Sequence, residues 1–466
     1  MLILVTAIDL IGKMMRKESL VLRFRLLSFL FGLVLLAGGQ AAHAVPSFAR
    51  QTGQSCVACH AGGQFPELTP YGRLFKLTGY TMGDRGNPLA AMVVADGTRT
   101  RNNQDSSGNT LSPKDGQFIL DYGSIFVAGK LADHVGGFAQ FTYANYDNQD
   151  ANGNWQGHWG SDNFDLRYAS RQVDANRDFI WGLTLNNNPT VQDVWNSSPA
   201  WGYPYVSTTQ GAFGGLPATP LLEGALAQQV AGVGAYFYLN QHLYAELTTY
   251  NTAKAGWRFL SMGNHTGDAN HPLTYLDGSS PYWRLAYTRE LDAHNFMVGL
   301  FGMNAGVLPL DGNNQPIFGT GSTHYRDVGV DAQYQYILAP HTVTAQFRYI
   351  HEKINDDTLT LYTGPATLNS TRLKVSYVFR NKYGASLALS NVSGSSDPTA
   401  YAGSANNVPD SRMWTPEVFY MPLQNVRLGV QYNMFTRYMG SATNYDGNGR
   451  NASDNNTLYV YAWAAF

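Results

Sequence analysis

Charge is what this sequence has least of. Only 14% of its 466 residues are Asp, Glu, Lys or Arg, against about 25% in soluble globular domains. The formal net charge of −2 supplies no basic surface for a polyanion, so nucleic acid is excluded as a partner. Cysteine is almost absent as well. Two residues, Cys56 and Cys59, cannot build a disulfide framework. Beyond the N-terminal segment there is no run of 18 apolar residues, and mean hydropathy is −0.24, which excludes membrane-spanning helices. What is abundant is glycine, 48 residues, with 29 Tyr and 23 Phe. A chain short of charge but without apolar runs is apolar at every second residue. That is a β-protein, and in lipid only a closed barrel satisfies its own backbone.

The first segment has a separate role. Lys13, Arg16, Lys17, Arg23 and Arg25 precede an apolar stretch from Leu26 to Ala37, and Ala42-His43-Ala44 follows with the small-x-small pattern of a cleavage site. Residues 1–44 are therefore expected to be a secretory signal peptide. An anchor would need about 20 apolar residues, more than this stretch provides.

Both cysteines fall in one motif, Cys56-Val57-Ala58-Cys59-His60. C-x-x-C-H is the signature of covalent c-type haem attachment. Two thiols about one turn apart form the thioethers, and the adjacent histidine is placed to bind iron. A zinc site would need further Cys or His ligands at motif spacing, and a redox disulfide would be expected in a βαβ setting. Neither is found. Cys56 and Cys59 are thus predicted to hold one haem c, with His60 as proximal ligand. Met82, 22 residues after His60, is the first candidate for the sixth position, with His134 and His351 as alternatives from the later chain.

From about residue 117 onward the chain alternates. In Thr371 to Arg380, Leu373, Val375, Tyr377 and Phe379 share one face, and Arg372, Lys374, Ser376 and Arg380 the other, with Val378 as the exception. In Asn425 to Tyr438, Val426, Leu428, Val430, Tyr432 and Met434 oppose Arg427, Gly429, Gln431, Asn433 and Arg437. The pattern predicts strands at 117–128, 136–147, 164–172, 178–187, 229–239, 242–251, 280–290, 294–305, 325–337, 341–353, 370–379, 384–393, 412–421, 425–438 and 456–466. Tight turns such as Asn240-Gln241 and Ala339-Pro340 alternate with long polar loops such as 188–228, 252–279 and 439–455. Outer-membrane barrels have this asymmetry, with short turns in the periplasm, and sandwiches have no reason for it. Parity requires one more strand before residue 117, and 89–101 is the place for it. The predicted fold is all-β: a transmembrane antiparallel barrel of sixteen strands over 89–466, both ends periplasmic, in the outer membrane of a Gram-negative bacterium. The closing stretch Leu458 to Phe466 is an amphipathic aromatic strand of the kind that ends such barrels.

Residues 45–88 are too few for a conventional cytochrome domain with its own core. A sixteen-strand barrel has a lumen wide enough to receive them, so they are predicted to form a haem-bearing plug. Arg348, Arg372, Lys374, Arg427 and Arg437, facing the lumen, are candidates to neutralise haem propionates. Glu67 is a candidate for donor contact or for pairing with Arg73. Asp193 reads as a solvated loop acid.

The stretch Val45-Pro46-Ser47-Phe48-Ala49-Arg50-Gln51-Thr52-Gly53, the haem motif, Phe65-Pro66-Glu67-Leu68-Thr69-Pro70, Gly72-Arg73 and Phe75-Lys76-Leu77 resembles the fused monohaem cytochrome-porin family of outer-membrane iron oxidases. The resemblance implies that electrons pass from extracellular Fe(II) through the haem at Cys56, Cys59 and His60 to a periplasmic c-type cytochrome or copper protein, in a barrel surrounded by outer-membrane lipid. The competing expectations are a diffusion porin with an accessory haem plug, or electron transfer with a donor or acceptor other than iron.

Overall fold

The computed structural model describes residues 46–63, 66–150, 152–202 and 215–466. The expected signal peptide, Val45 and Phe65 lie outside the described residues. No helix among the described residues is long and apolar enough to cross a membrane. The chain instead forms sixteen strands: β1 (Leu89–Thr100), β2 (Phe118–Ala132), β3 (Val135–Gln149), β4 (Trp155–Val173), β5 (Asp178–Asn186), β6 (Val230–Leu239), β7 (Leu243–Thr252), β8 (Ser280–Leu291), β9 (His294–Val307), β10 (Thr323–Leu338), β11 (His341–Asp356), β12 (Ala366–Phe379), β13 (Tyr383–Gly394), β14 (Ser411–Leu423), β15 (Val426–Arg437) and β16 (Thr457–Ala465). Each pairs antiparallel with its neighbours in sequence, and β1 pairs with β16 to close the barrel. The closing seam runs in register from Met92 opposite Ala465 to Thr100 opposite Thr457. Ala91 and Phe466 then exchange both backbone hydrogen bonds, at 2.8 and 2.9 Å.

Period-two alternation dictates the wall. Along β8, Tyr282, Arg284, Ala286 and Thr288 are buried while Trp283, Leu285 and Tyr287 are exposed. Across the ladder Leu285 faces Leu300 and Tyr287 faces Val298, so cross-strand pairs merge into one apolar outer surface. The same sorting holds in β12, with Leu373, Val375 and Tyr377 outside and Lys374 and Ser376 inside. Ring pairs Phe179–Phe237, Phe296–Tyr334 and Tyr383–Tyr420 stand near the short-turn ends, as aromatic girdles do at a membrane interface. An outward apolar band over an inward polar lining is the arrangement that lipid outside and water inside impose.

The turns explain the parity. At the β6–β7 connection Asn240 and Gln241 both have positive φ, 50° and 60°, the backbone of a tight turn that matches strand twist. Six further connections at that end are equally brief; those at the other end are mostly long.

Two expectations are corrected. The predicted strands leave 148–163 as a loop, yet β3 runs to Gln149 and β4 begins at Trp155. Above the membrane a strand meets water on both faces and needs no apolar alternation, so its sequence does not announce it. The second correction concerns the 187–229 connection, expected as a solvated outer loop. Asn187, Thr190, Gln192, Asp193, Trp195 and Ser198 are all fully buried. Residues 187–202 and 215–229 fold back into the lumen, where polar groups meet a polar wall. Leu221, Leu222 and Leu226 pack there on Tyr250, Tyr282 and Phe301.

Candidate functional site

Among the described residues three short α-helices precede β1: α1 (Pro46–Thr52), α2 (Cys56–Cys59) and α3 (Pro70–Leu77). Thr69 caps α3 by accepting the Gly72 N–H at 3.1 Å, and Pro70 occupies the first turn, where its missing N–H costs nothing. The same Thr69 donates its hydroxyl to the Ala58 carbonyl, and its N–H binds the Cys59 carbonyl at 2.9 Å. Thr69 thus ties α3 to the haem motif. The Ala61 N–H binds the Glu67 carbonyl at 2.9 Å, and His60 bridges Leu68, which holds the histidine backbone on both sides. Gly72 is required where α3 crosses α2, because a Cβ there would lie 2.1 Å from the Cys59 carbonyl oxygen.

This segment is anchored inside the barrel. Arg73 pairs with Glu290 at 2.6 Å and donates to Gln335 at 2.9 Å. Tyr80 donates to Asp165 at 2.6 Å, and Tyr236 donates to the Leu77 carbonyl at 2.7 Å. Lys76 donates to the Val191 and Asp193 carbonyls at 2.7 and 2.6 Å and to Asn196 at 3.1 Å, joining α3 to the inward-folded 187–229 segment. Leu77 packs with Val194, Trp195, Tyr236 and Tyr244. Gly62 and Gly63 approach Val378 and Asn381, and Cys56 lies by Gln424, so the haem motif sits at the short-turn end.

Beside the motif a cavity of about 460 Å³ opens in the lumen. Cys56, Cys59 and His60 border it with Phe48, Phe75 and Tyr80 of the same segment; Met92, Tyr122, Phe126 and Trp463 supply wall from the barrel. Its size is that of sites holding mid-sized organic ligands, roughly 300–1,000 Å³. Neither cysteine is in a disulfide. Burial, with Cys56 nearby, pushes the Cys59 thiol up to about 11. Burial lowers His60 to about 4 against the opposing pull of Glu67, so its imidazole is neutral at physiological pH, as ligation requires. Its Nδ1 is buried without a hydrogen-bond partner. Two thiols outside any disulfide, a buried neutral imidazole and an apolar, aromatic cavity on one side of them are a donor set that fits a covalent haem.

The other predicted residues are placed as follows. The Met82 carbonyl accepts from Gln51 at 2.8 Å, and Met92, not Met82, borders the cavity. His134 contacts the Ala169 carbonyl at 3.0 Å and His351 contacts Asn369 at 2.7 Å; neither lines the cavity. All five bases already hold carboxylates, and Arg437, shifted past a bulge to lie opposite the exposed Arg412, faces outward and not into the lumen. Arg348 and Arg372 share Glu223 at 2.9 and 2.6 Å, Lys374 pairs with Glu67, Arg427 with Glu417 at 2.9 Å and Arg437 with Asp410 at 3.4 Å. Propionate neutralisation is thus not their standing role, and Glu67 pairs with Lys374 rather than Arg73. Asp193 is no solvated loop acid. It is buried between Arg284, at 3.4 Å, and the N–H groups of Trp195, Ser197 and Ser198. That Phe48, Phe75 and Tyr80 line the cavity was not foreseen from the sequence, although three aromatics so near the motif were the available signal.

No protein-family model matches the chain, and no curated protein does. Solved structures with a similar barrel include OmpT, an outer-membrane protein of Vibrio cholerae, at 10% identity over 81% of this chain and 96% of that one, TM-score 0.42. The outer-membrane channel DcaP of Acinetobacter baumannii shares 12% identity over 81% and 96%, TM-score 0.45. Salmonella typhi OmpF in complex with daunomycin shares 13% over 81% and 97%, TM-score 0.41. At such identities and scores, function has to be argued from the chain's own residues.

Proposed function

We propose that this barrel is an outer-membrane electron conduit, carrying one covalent haem c in its lumen and oxidising extracellular Fe(II). The observation that carries the reading is the convergence of Cys56, Cys59 and His60 on a single apolar cavity inside the bore. Cys56 and Cys59 would hold the porphyrin through thioethers and His60 would ligate its iron, with Met92 as the thioether bordering the site. When bound, haem c supplies one-electron redox chemistry. The chain's own contribution is exclusion of water by Phe48, Phe75, Tyr80 and Trp463, and retention of the plug by Arg73, Lys76 and Tyr80. A hydrocarbon layer of roughly 30 Å is too thick for one centre to serve from either surface, so a centre within the bore is the economical solution. A periplasmic c-type cytochrome or copper protein is the expected acceptor below the short turns.

The test is direct mixing. Oxidised, haem-loaded protein should show ferrous haem absorption bands promptly after Fe(II) is added, and protein carrying His60→Ala should not. Bands that stay unchanged at every accessible potential would remove the conduit.

A diffusion porin is the second reading, favoured by the sixteen-strand closed barrel with its polar lining. Planar-bilayer recording separates the two. The conduit expects small currents, since the plug and the 187–229 segment pack together in the lumen; large, steady, haem-independent currents would favour the porin.

A further inference from the structure

At the long-loop mouth three ligand-type side chains converge from separate stretches. Asp147 lies near the end of β3, His158 near the start of β4 and His271 in the 253–279 connection. Their candidate ligand atoms all lie within 4.8 Å of one another. The two imidazoles stack with centroids 3.8 Å apart and planes 15° from parallel. His271 Nε2 is 2.7 Å from Asp147 Oδ2, and both side chains are only about one-fifth exposed, at 23% and 18%.

The surroundings hold this arrangement in place. Asp268 accepts the backbone N–H groups of Asn270 and His271 at 2.8 and 3.0 Å. The His265 N–H binds the His271 carbonyl at 2.9 Å, and the Leu273 N–H binds the His265 carbonyl at 3.1 Å. Gly263 makes the close approach to β4 possible, since a Cβ there would lie 2.7 Å from His158 Nε2. A simple ion pair between His271 and Asp147 leaves His158 unexplained. Two imidazoles face to face repel if both are protonated, so at least one offers a lone pair.

Two imidazoles with one carboxylate form the donor set that non-haem Fe(II) proteins use, with positions left open to water. Metal bonds of about 2.1 Å place three facial donors of a six-coordinate ion roughly 3.0 Å apart, a spacing these three reach by small side-chain rotations. The location adds a second argument. His158 is the cross-strand partner of Ala144, partners share a face, and Ala144 borders the cavity beside the haem motif. The cluster therefore stands at the outer end of that cavity.

We propose that Asp147, His158 and His271 form a binding site for a divalent first-row transition ion, and that its ligand is ferrous iron. The identity of the ion rests on the conduit reading; the site's existence does not. Three protein donors with the rest water hold an ion while leaving it free to exchange with the medium.

Cobalt(II) is the probe, titrated into the purified full chain and followed by its visible absorption. One ion per chain is expected, with affinity reduced more than about tenfold in both His158→Ala and His271→Ala, and less in Asp147→Glu. Correct folding of each variant is checked by its heat-dependent gel mobility. Absent binding, or equal binding in wild type and both histidine variants, overturns the site. In a second arm, the Fe(II) concentration giving half-maximal haem reduction should rise more than about tenfold in His158→Ala, with reduction by dithionite unchanged. Cobalt binding that depends on the histidines, together with a haem that ignores Fe(II), upholds the site and removes both the iron assignment and the conduit. Equal Fe(II) response in wild type and variant upholds the conduit and removes the site from it.

Discussion

Single residues decide how the lumen segment is held. Gly72 is the sharpest case, because the atom a Cβ would strike is backbone, the Cys59 carbonyl oxygen at 2.1 Å, and cannot swing aside. Overpacking of this kind costs about 1–3 kcal/mol or more. Gly72→Ala is expected to lower haem incorporation several-fold while leaving barrel assembly intact, as measured by haem absorbance per folded chain. Glu223 gives a pH prediction. Burial raises its carboxyl, but Arg372 and Arg348 outweigh that and hold it down to about 2, from an ordinary value of 4.5. A depressed carboxylate contributes stability that is complete above its unfolded value and is lost as pH falls through its folded one. Anchoring of the 187–229 segment should hold down to about pH 4.5 and fail between there and about 2. Pepsin cleavage within the segment is the readout; Glu223→Gln, which leaves two arginines without their carboxylate, should be cleaved throughout that range.

At the level of elements, the strands were legible and the loops were not. Strand positions follow from alternation because a wall between lipid and a polar lumen forces it, and parity alone located β1 at 89–101, where it runs Leu89–Thr100. The missed start of β4 and the inward connection after β5 have different causes: the strand end meets water on both faces and so carries no alternation, while the connection buries residues of loop character. Polar residues such as Asp193 and Asn196 read as solvent-facing, and only the fold reveals that the lumen wall supplies Arg284 to Asp193 and the N-terminal segment supplies Lys76 to both. The motif at Cys56 to His60 was legible for the opposite reason, since its chemistry is local. Asp147, His158 and His271 were not, because β3, β4 and a distant loop bring them together. The lipid face carries its own test. Val298→Arg, on the outward face of β9 where Val298 is 57% exposed, should cost about 2–4 kcal/mol if it lies near the bilayer midplane. Folding titrations into lipid vesicles measure it, and a neutral result would mean that this face does not meet hydrocarbon.

On the scale of the whole molecule, two segments remote in sequence share one bore. The N-terminal helices enter at the short-turn end, the described parts of the connection between β5 and β6 fold in, and they meet at Lys76, Leu77, Val194 and Trp195. What they leave open is the cavity that Cys56, Cys59 and His60 border. On the conduit reading proposed above, the bore serves to hold one buried group at a fixed depth. The decisive measurement is the haem content of the chain purified from a host with c-type haem maturation, read as the pyridine haemochrome spectrum together with the mass of the peptide spanning Cys56 to His60. One thioether-bound haem per chain is expected, absent in Cys56→Ala/Cys59→Ala protein that still forms the barrel. A folded barrel recovered from that host without haem, with both thiols free to react with an alkylating reagent, would contradict the central claim.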